Sequence, residues 1–189
     1  GSLNVPTVRN NTGGIAGAVY SSYGDDSRYR TVRFENNHNH TDQVLNYRAN
    51  FAGVAGKIEG ASWSRNVTED GKTVTKVDTF LVQIKNCSNS GRVKSLAGIC
   101  VGGVVGYANY VDTMAHLVNT SDSVLSAGAY LAGVLGGADR IYFVDSLINY
   151  AEVMTLSPKG GSYVGGVAGY WTTEKSPIQN SIYYYDMSA

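Results

Sequence analysis

Gly102-Gly103-Val104-Val105-Gly106 decides how this chain is read, because the same pattern recurs four more times. The other copies are Gly13-Gly14-Ile15-Ala16-Gly17, Ala52-Gly53-Val54-Ala55-Gly56, Ala132-Gly133-Val134-Leu135-Gly136 and Gly165-Gly166-Val167-Ala168-Gly169. Each reads small residue, glycine, two aliphatics, glycine. The central glycines are spaced by 39, 50, 30 and 33 residues, a bare period of about 30, which falls in the range of stacked repeats.

Working outward from the blocks, further columns share the register. Asn39, Asn89 and Asn119 each precede the next central glycine by 14 residues, and Asn149 precedes Gly166 by 17. The three extra residues are assigned to the turn Ser157-Pro158-Lys159-Gly160. Cys87, Leu117 and Leu147 stand two positions before their asparagines, and Val44, Val93, Val124 and Val153 form another column if one-residue slips are allowed. Between the columns lie short strand-like runs such as Leu81-Val82-Gln83-Ile84 and Ile141-Tyr142-Phe143-Val144. Helical periodicity is not sustained over any long window, and glycine recurs too often for a helical repeat.

These features predict an all-β chain, a parallel β-solenoid of about five coils, right-handed as parallel crossovers favour, forming one domain over residues 1–189. Glycines would sit at corners and where backbone packs on backbone. The aliphatics would fill the core, and asparagines in register would bond through their amides along the stack.

Composition agrees. Of 189 residues, 23 are glycine, 14 tyrosine and only 3 proline. Charged residues make up 16% and balance to a net charge of zero. This is too apolar for a disordered tail and too neutral for a nucleic-acid binder working by counterion release. No apolar run is long enough to span a bilayer, so neither nucleic acid nor membrane insertion is expected. Gly1-Ser2 reads as a cloning remnant, so the chain is expected to come from within a longer protein, and the lack of a signal peptide carries no weight.

The five blocks, with Ile84-Lys85-Asn86-Cys87-Ser88-Asn89-Ser90-Gly91-Arg92-Val93 upstream of one of them, resemble the GLUG repeat. The resemblance runs from about Gly13 to Gly169, departing mildly where alanine opens two copies. It implies a bacterial surface or secreted protein: an adhesin-like structural domain, or a non-catalytic part of a large secreted peptidase or polysaccharide-degrading enzyme. The implied localisation is extracellular or cell-surface. The repeat carries no defined catalytic residue, so none is transferred.

Two repeats exceed the bare length. After Gly56 comes a protruding hairpin near residues 65–76, with Asp70-Gly71 as a two-residue turn. After Gly17 comes a polar excursion from Tyr20 to Arg33. At the other end, Asn180-Ser181 occupies the place of Asn86-Cys87.

Catalytic chemistry finds little support. Tyr20, Glu59, Asn109, Asp139 and Thr172 each follow a block's last glycine by three residues, a weak polar patch with only two acids. His38-Asn39-His40 would place both imidazoles on one strand face, but no third metal ligand is evident, so the segment reads as polar surface. His116 replaces Asn86 and reads as structural. Cys87 and Cys100 lack the spacing of a zinc site; a disulfide and two separate buried thiols are both compatible with the sequence. No Gly-x-Ser-x-Gly elbow occurs. The chain is therefore expected to be no enzyme, with no catalytic, cofactor-binding or metal residues.

A partner surface remains. Segments following the glycine blocks should emerge on one side of a solenoid, and they carry Tyr23, Tyr29, Trp63, Tyr107, Tyr110, Tyr142, Tyr170 and Trp171. Arg28, Arg30 and Arg33 add hydrogen-bond donors at one end. Rings with polar handles suit a glycan or host protein, though they could equally cover corners and ends of the fold. Neighbouring domains of the same chain are the other expected partners.

Overall fold

The computed structural model describes residues 2–5, 11–21, 31–45, 49–157, 163–172 and 178–184. Its strands form three sheets, and no helix occurs among the described residues. One five-stranded sheet contains Ser2–Val5, Asp42–Leu45, Val93–Ser95, Ser123–Ser126 and Glu152–Thr155. Another contains Thr12–Gly13, Phe51–Ala52, Cys100–Gly102, Tyr130–Ala132 and Tyr163–Gly165. The third, of eleven strands, is dominated by Lys72–Asn89, Val105–Asn119 and Leu135–Asn149.

Pairing is parallel throughout the two smaller sheets. In the large sheet the hairpin of Ala61–Glu69 with the first part of Lys72–Asn89 is antiparallel. The architecture is thus all-β and mostly parallel, and the repeat columns appear directly in the pairing. Gly13, Ala52, Gly102, Ala132 and Gly165, the first residues of the five blocks, pair in succession.

The core follows from these columns. Val82, Val111 and Ile141 stack, as do Ile84, Met114 and Val144, and Cys87, Leu117 and Leu147. All nine are at most 1% exposed and belong to one apolar cluster. A second cluster, with Phe51, Val93, Val101, Val124 and Leu131, lies between the two smaller sheets. Burying a side chain of this size stabilises by roughly 1.5–3 kcal/mol, so stacking like on like lets every added repeat extend the same core.

The long strands bend instead of running flat. Asn36, Asn86, His116, Ser146 and Asn180 all have φ between 47° and 59°. They occupy one register position, skipped in the pairing between Ala115–Asp145 and Leu117–Leu147. Tyr110 and Arg140 do the same, with φ 51° and 49°. Asparagine tolerates this left-handed conformation better than other side chains, which explains its prevalence at the first corner. The corner also places Asn180-Ser181 where Asn86-Cys87 was expected to be matched, with Ile178 opposite Val144 and Ile182 opposite Ile148.

The asparagine column forms the expected ladder. Asn39 Nδ2 donates to Asn89 Oδ1 (2.7 Å), Asn89 to Asn119 (3.0 Å) and Asn119 to Asn149 (3.0 Å). The same amides clamp the chain two residues on: Asn89 Nδ2 donates to the Gly91 carbonyl and Asn149 Nδ2 to that of Ala151. Each asparagine packs against the glycine of the preceding block. A methyl group at Gly53 would overlap Asn89, one at Gly103 would overlap Asn119, and one at Gly133 would overlap Asn149. At Gly166 the corresponding neighbour is the ring of Tyr183, which pairs with Asn149 and occupies the ladder position.

Three expectations are refined. The valine column slips at its first member: Gln43, not Val44, pairs with Val93, and Gln43 is 1% exposed with Nε2 donating to the Gly53 carbonyl (2.7 Å). The hairpin is longer than residues 65–76, pairing from Ala61–Phe80 to Glu69–Lys72 around Asp70 and Gly71, whose φ values of 49° and 73° fit a two-residue hairpin turn. Cys87 and Cys100 are both buried free thiols. Residues 158–160, where the three-residue insertion was placed, lie outside the described residues.

Candidate functional site

After each glycine block the chain enters the large sheet, and its side chains alternate. Val19, Ile58, Ala108, Ala138 and Trp171 pair in one row and face the core. On either side of that row lie two outward ones. Ala18, Lys57, Tyr107, Gly137 and Tyr170 form the first; Tyr20, Glu59, Asn109 and Asp139 form the second. The acid-and-amide column expected from sequence is therefore real, with Asn109 between Glu59 and Asp139.

The two outward rows are linked. Tyr107 Oη donates to Asp139 Oδ2 at 2.6 Å, and the Thr172 hydroxyl donates to the same carboxylate. Lys57 Nζ pairs with Glu59 Oε2 at 2.6 Å and lies 5.8 and 5.9 Å from the ring centroids of Tyr20 and Tyr107. Burial, and then the bond to Asp139, push the Tyr107 phenol well above its ordinary range, so it remains a proton donor. Burial likewise pushes the Cys100 thiol up to about 12, with the Asp139 charge adding to the effect, and raises Cys87. Neither cysteine is an available thiolate near neutral pH.

Beside these rows is a tyrosine cluster. Tyr130 and Tyr163, paired on the neighbouring sheet, stack at 5.4 Å between centroids, and Tyr170 reaches over from the large sheet to 4.7 Å from Tyr130 and 6.4 Å from Tyr163. Gly137, opposite Tyr170, has no side chain; a methyl group there would crowd Cys100 and approach the Tyr107 ring. Tyr163 is 61% exposed, so the cluster presents a ring to solvent.

The expected partner residues separate into distinct places. Tyr107 and Tyr170 lie in the outward row. Trp171 pairs with Ala138 and packs, half-buried, against the core cluster, the inward position following from simple alternation after Tyr170. Tyr110 occupies a corner, its ring 4.9 Å from the Arg140 guanidinium. Tyr142 lies beyond that corner and is 54% exposed. Trp63 stands on the hairpin opposite Asp78. Tyr23 and Tyr29, with Arg28 and Arg30, lie outside the described residues.

Tyr130 and Tyr163 are the site residues that sequence reasoning missed. Each precedes a central glycine by three positions, and the bend at the block turns them toward Tyr170. The signal was the pair of tyrosines in one column next to a third across the corner.

The histidines singled out from the sequence take defined places. His116 is at the left-handed corner. His38 and His40 hydrogen-bond Ser88 and Ser90. Among the described residues, no three His, Cys, Asp or Glu side chains gather as a metal site, and no helix is long and apolar enough to cross a membrane. Comparison with protein-family models, curated proteins and solved structures finds no match.

Proposed function

We propose that this chain is a GLUG-like, right-handed parallel β-solenoid of about five coils, serving as a non-catalytic structural and adhesive domain of a bacterial surface or secreted protein. Its contact surface is the outward face beside the glycine corners, and the ligand class is a glycan. The observation that carries this reading is the Tyr130–Tyr163–Tyr170 cluster beside the Tyr107–Asp139 hydrogen bond. Sugar rings offer an apolar face that stacks on tyrosine and hydroxyls that bond to carboxylates and amides; an aromatic cluster bordered by ordered acceptors meets both needs. Parallel strands about 4.8 Å apart also spread these groups over successive repeats, which suits an extended saccharide.

The test is a glycan-array screen followed by titration of the best binders, comparing the wild-type chain with Tyr163→Ala/Tyr170→Ala. Loss of about tenfold or more in affinity, equivalent to ~1.4 kcal/mol, at an unchanged melting temperature supports the reading. Equal binding by both proteins, or no binder above background, overturns it.

A further inference from the structure

His38 and His40 belong to a different surface from the tyrosine face. They flank the ladder residue Asn39, and alternation along the strand turns Asn39 inward, 3% exposed, while both imidazoles are exposed. Each ring is tied to a serine of the neighbouring repeat: His38 Nδ1 lies 2.8 Å from Ser88 Oγ, and His40 Nδ1 2.7 Å from Ser90 Oγ. The Ser90 hydroxyl donates to the Asn39 carbonyl at 3.4 Å. When it donates there it meets His40 as an acceptor, and that tautomer carries the ring proton on Nδ1 and leaves the Nε2 lone pair free to bind.

We propose that His38 and His40 form an open two-histidine site for a divalent late first-row transition ion, with Cu2+ bound most tightly and Ni2+ and Zn2+ more weakly, in the order set by imidazole ligands. Alternate residues of a strand stand about 6.6 Å apart on one face. Two imidazoles tilting together over that span bring both Nε2 atoms to about 2 Å from one ion. A hydroxyl on the far nitrogen is the outer-shell arrangement that fixes tautomer and ring orientation in metal-binding histidines. The nearby carboxylate of Asp42 is engaged by Arg92, at 3.0 Å from Nε and 2.8 Å from Nη2, so water fills the remaining coordination positions. The sequence shows only two ligands and so reads as plain polar surface. The serine pair that orients them lies 50 residues away in the chain and is visible only once the strands stack.

The experiment is a calorimetric titration of the chain, free of any affinity tag, with Cu2+, followed by electron paramagnetic resonance of the 1:1 sample. The expected result is one ion per chain with nitrogen coordination from two imidazoles. His38→Ala and His40→Ala should each abolish saturable binding. Ser88→Ala/Ser90→Ala should weaken it by about tenfold, and His116→Asn should leave it unchanged. Circular dichroism should be the same for all variants, since both histidines are exposed. Unchanged affinity in His38→Ala/His40→Ala, absence of saturable binding by the wild type, or one ion per two chains with dimer formation would each overturn the proposal.

Discussion

At the scale of the residue, the most demanding positions are the glycine and asparagine that face one another. Asn119 donates to Asn149, accepts from Asn89 and lies where a Cβ on Gly103 would point. Gly103→Val drives its side chain into that amide and into the Gly133 carbonyl, so its cost should exceed the ~1 kcal/mol of a typical substitution. Asn119→Ala leaves buried ladder partners unsatisfied and should cost about 1–3 kcal/mol. Urea denaturation measures both, and two silent variants would mean that the columns do not support one another. Ser146 offers the opposite test. It holds φ 55° without the tolerance of asparagine, while Asn180 at the equivalent corner donates to Asp145 Oδ1 at 2.6 Å. Ser146→Asn should stabilise by up to about 1 kcal/mol, the scale of left-handed strain for ordinary residues, and raise the midpoint of the same denaturation curve.

At the scale of the element, the hairpin is separable from the core. Between Ser62 and Thr79 its residues are mostly exposed, and it begins and ends at the paired residues Ala61 and Phe80. The next repeat passes the equivalent point directly, from Tyr110 to Val111, where Val111 pairs with Val82. Replacing Ser62–Thr79 by Asn-Gly gives a two-residue turn of the favoured type. The shortened chain should keep its β-sheet circular dichroism and melt within a few degrees of the wild type, about 1 kcal/mol in a domain of this size. Collapse to an unfolded spectrum would show that the hairpin is part of the folding unit.

At the scale of the whole molecule, each repeat is stabilised mainly by its neighbours. Val105–Asn119 is paired on one side with Leu135–Asn149 and on the other with Ala55–Glu59 and Lys72–Asn89. Opening it must break contacts on both sides, whereas among the described residues the strand pairing of the hairpin arms is with each other over most of their length. Hydrogen exchange should therefore be slowest for the amides of Val105–Asn119 and fastest for those of residues 62–79, which open locally. Uniform exchange across both would contradict this nearest-neighbour picture.

What the sequence determined by itself is the periodic part of the structure. Residues that stack in register meet the same surroundings in every repeat, so the glycine blocks, the asparagine ladder, the Cys87–Leu117–Leu147 column and the Asp70-Gly71 turn could all be read along the chain. The inward position of Trp171 was also legible from its column with Val19, Ile58, Ala108 and Ala138, once alternation was counted from the glycine. Tertiary structure alone decided what meets across corners. It moved Gln43 into the place of Val44, because a one-residue slip reverses which face a strand residue takes. It joined Tyr130 and Tyr163 to Tyr170, and brought Ser88 and Ser90 to the two histidines. Those contacts depend on the direction of a bend and on the pairing of strands remote in sequence, and neither is encoded in local spacing.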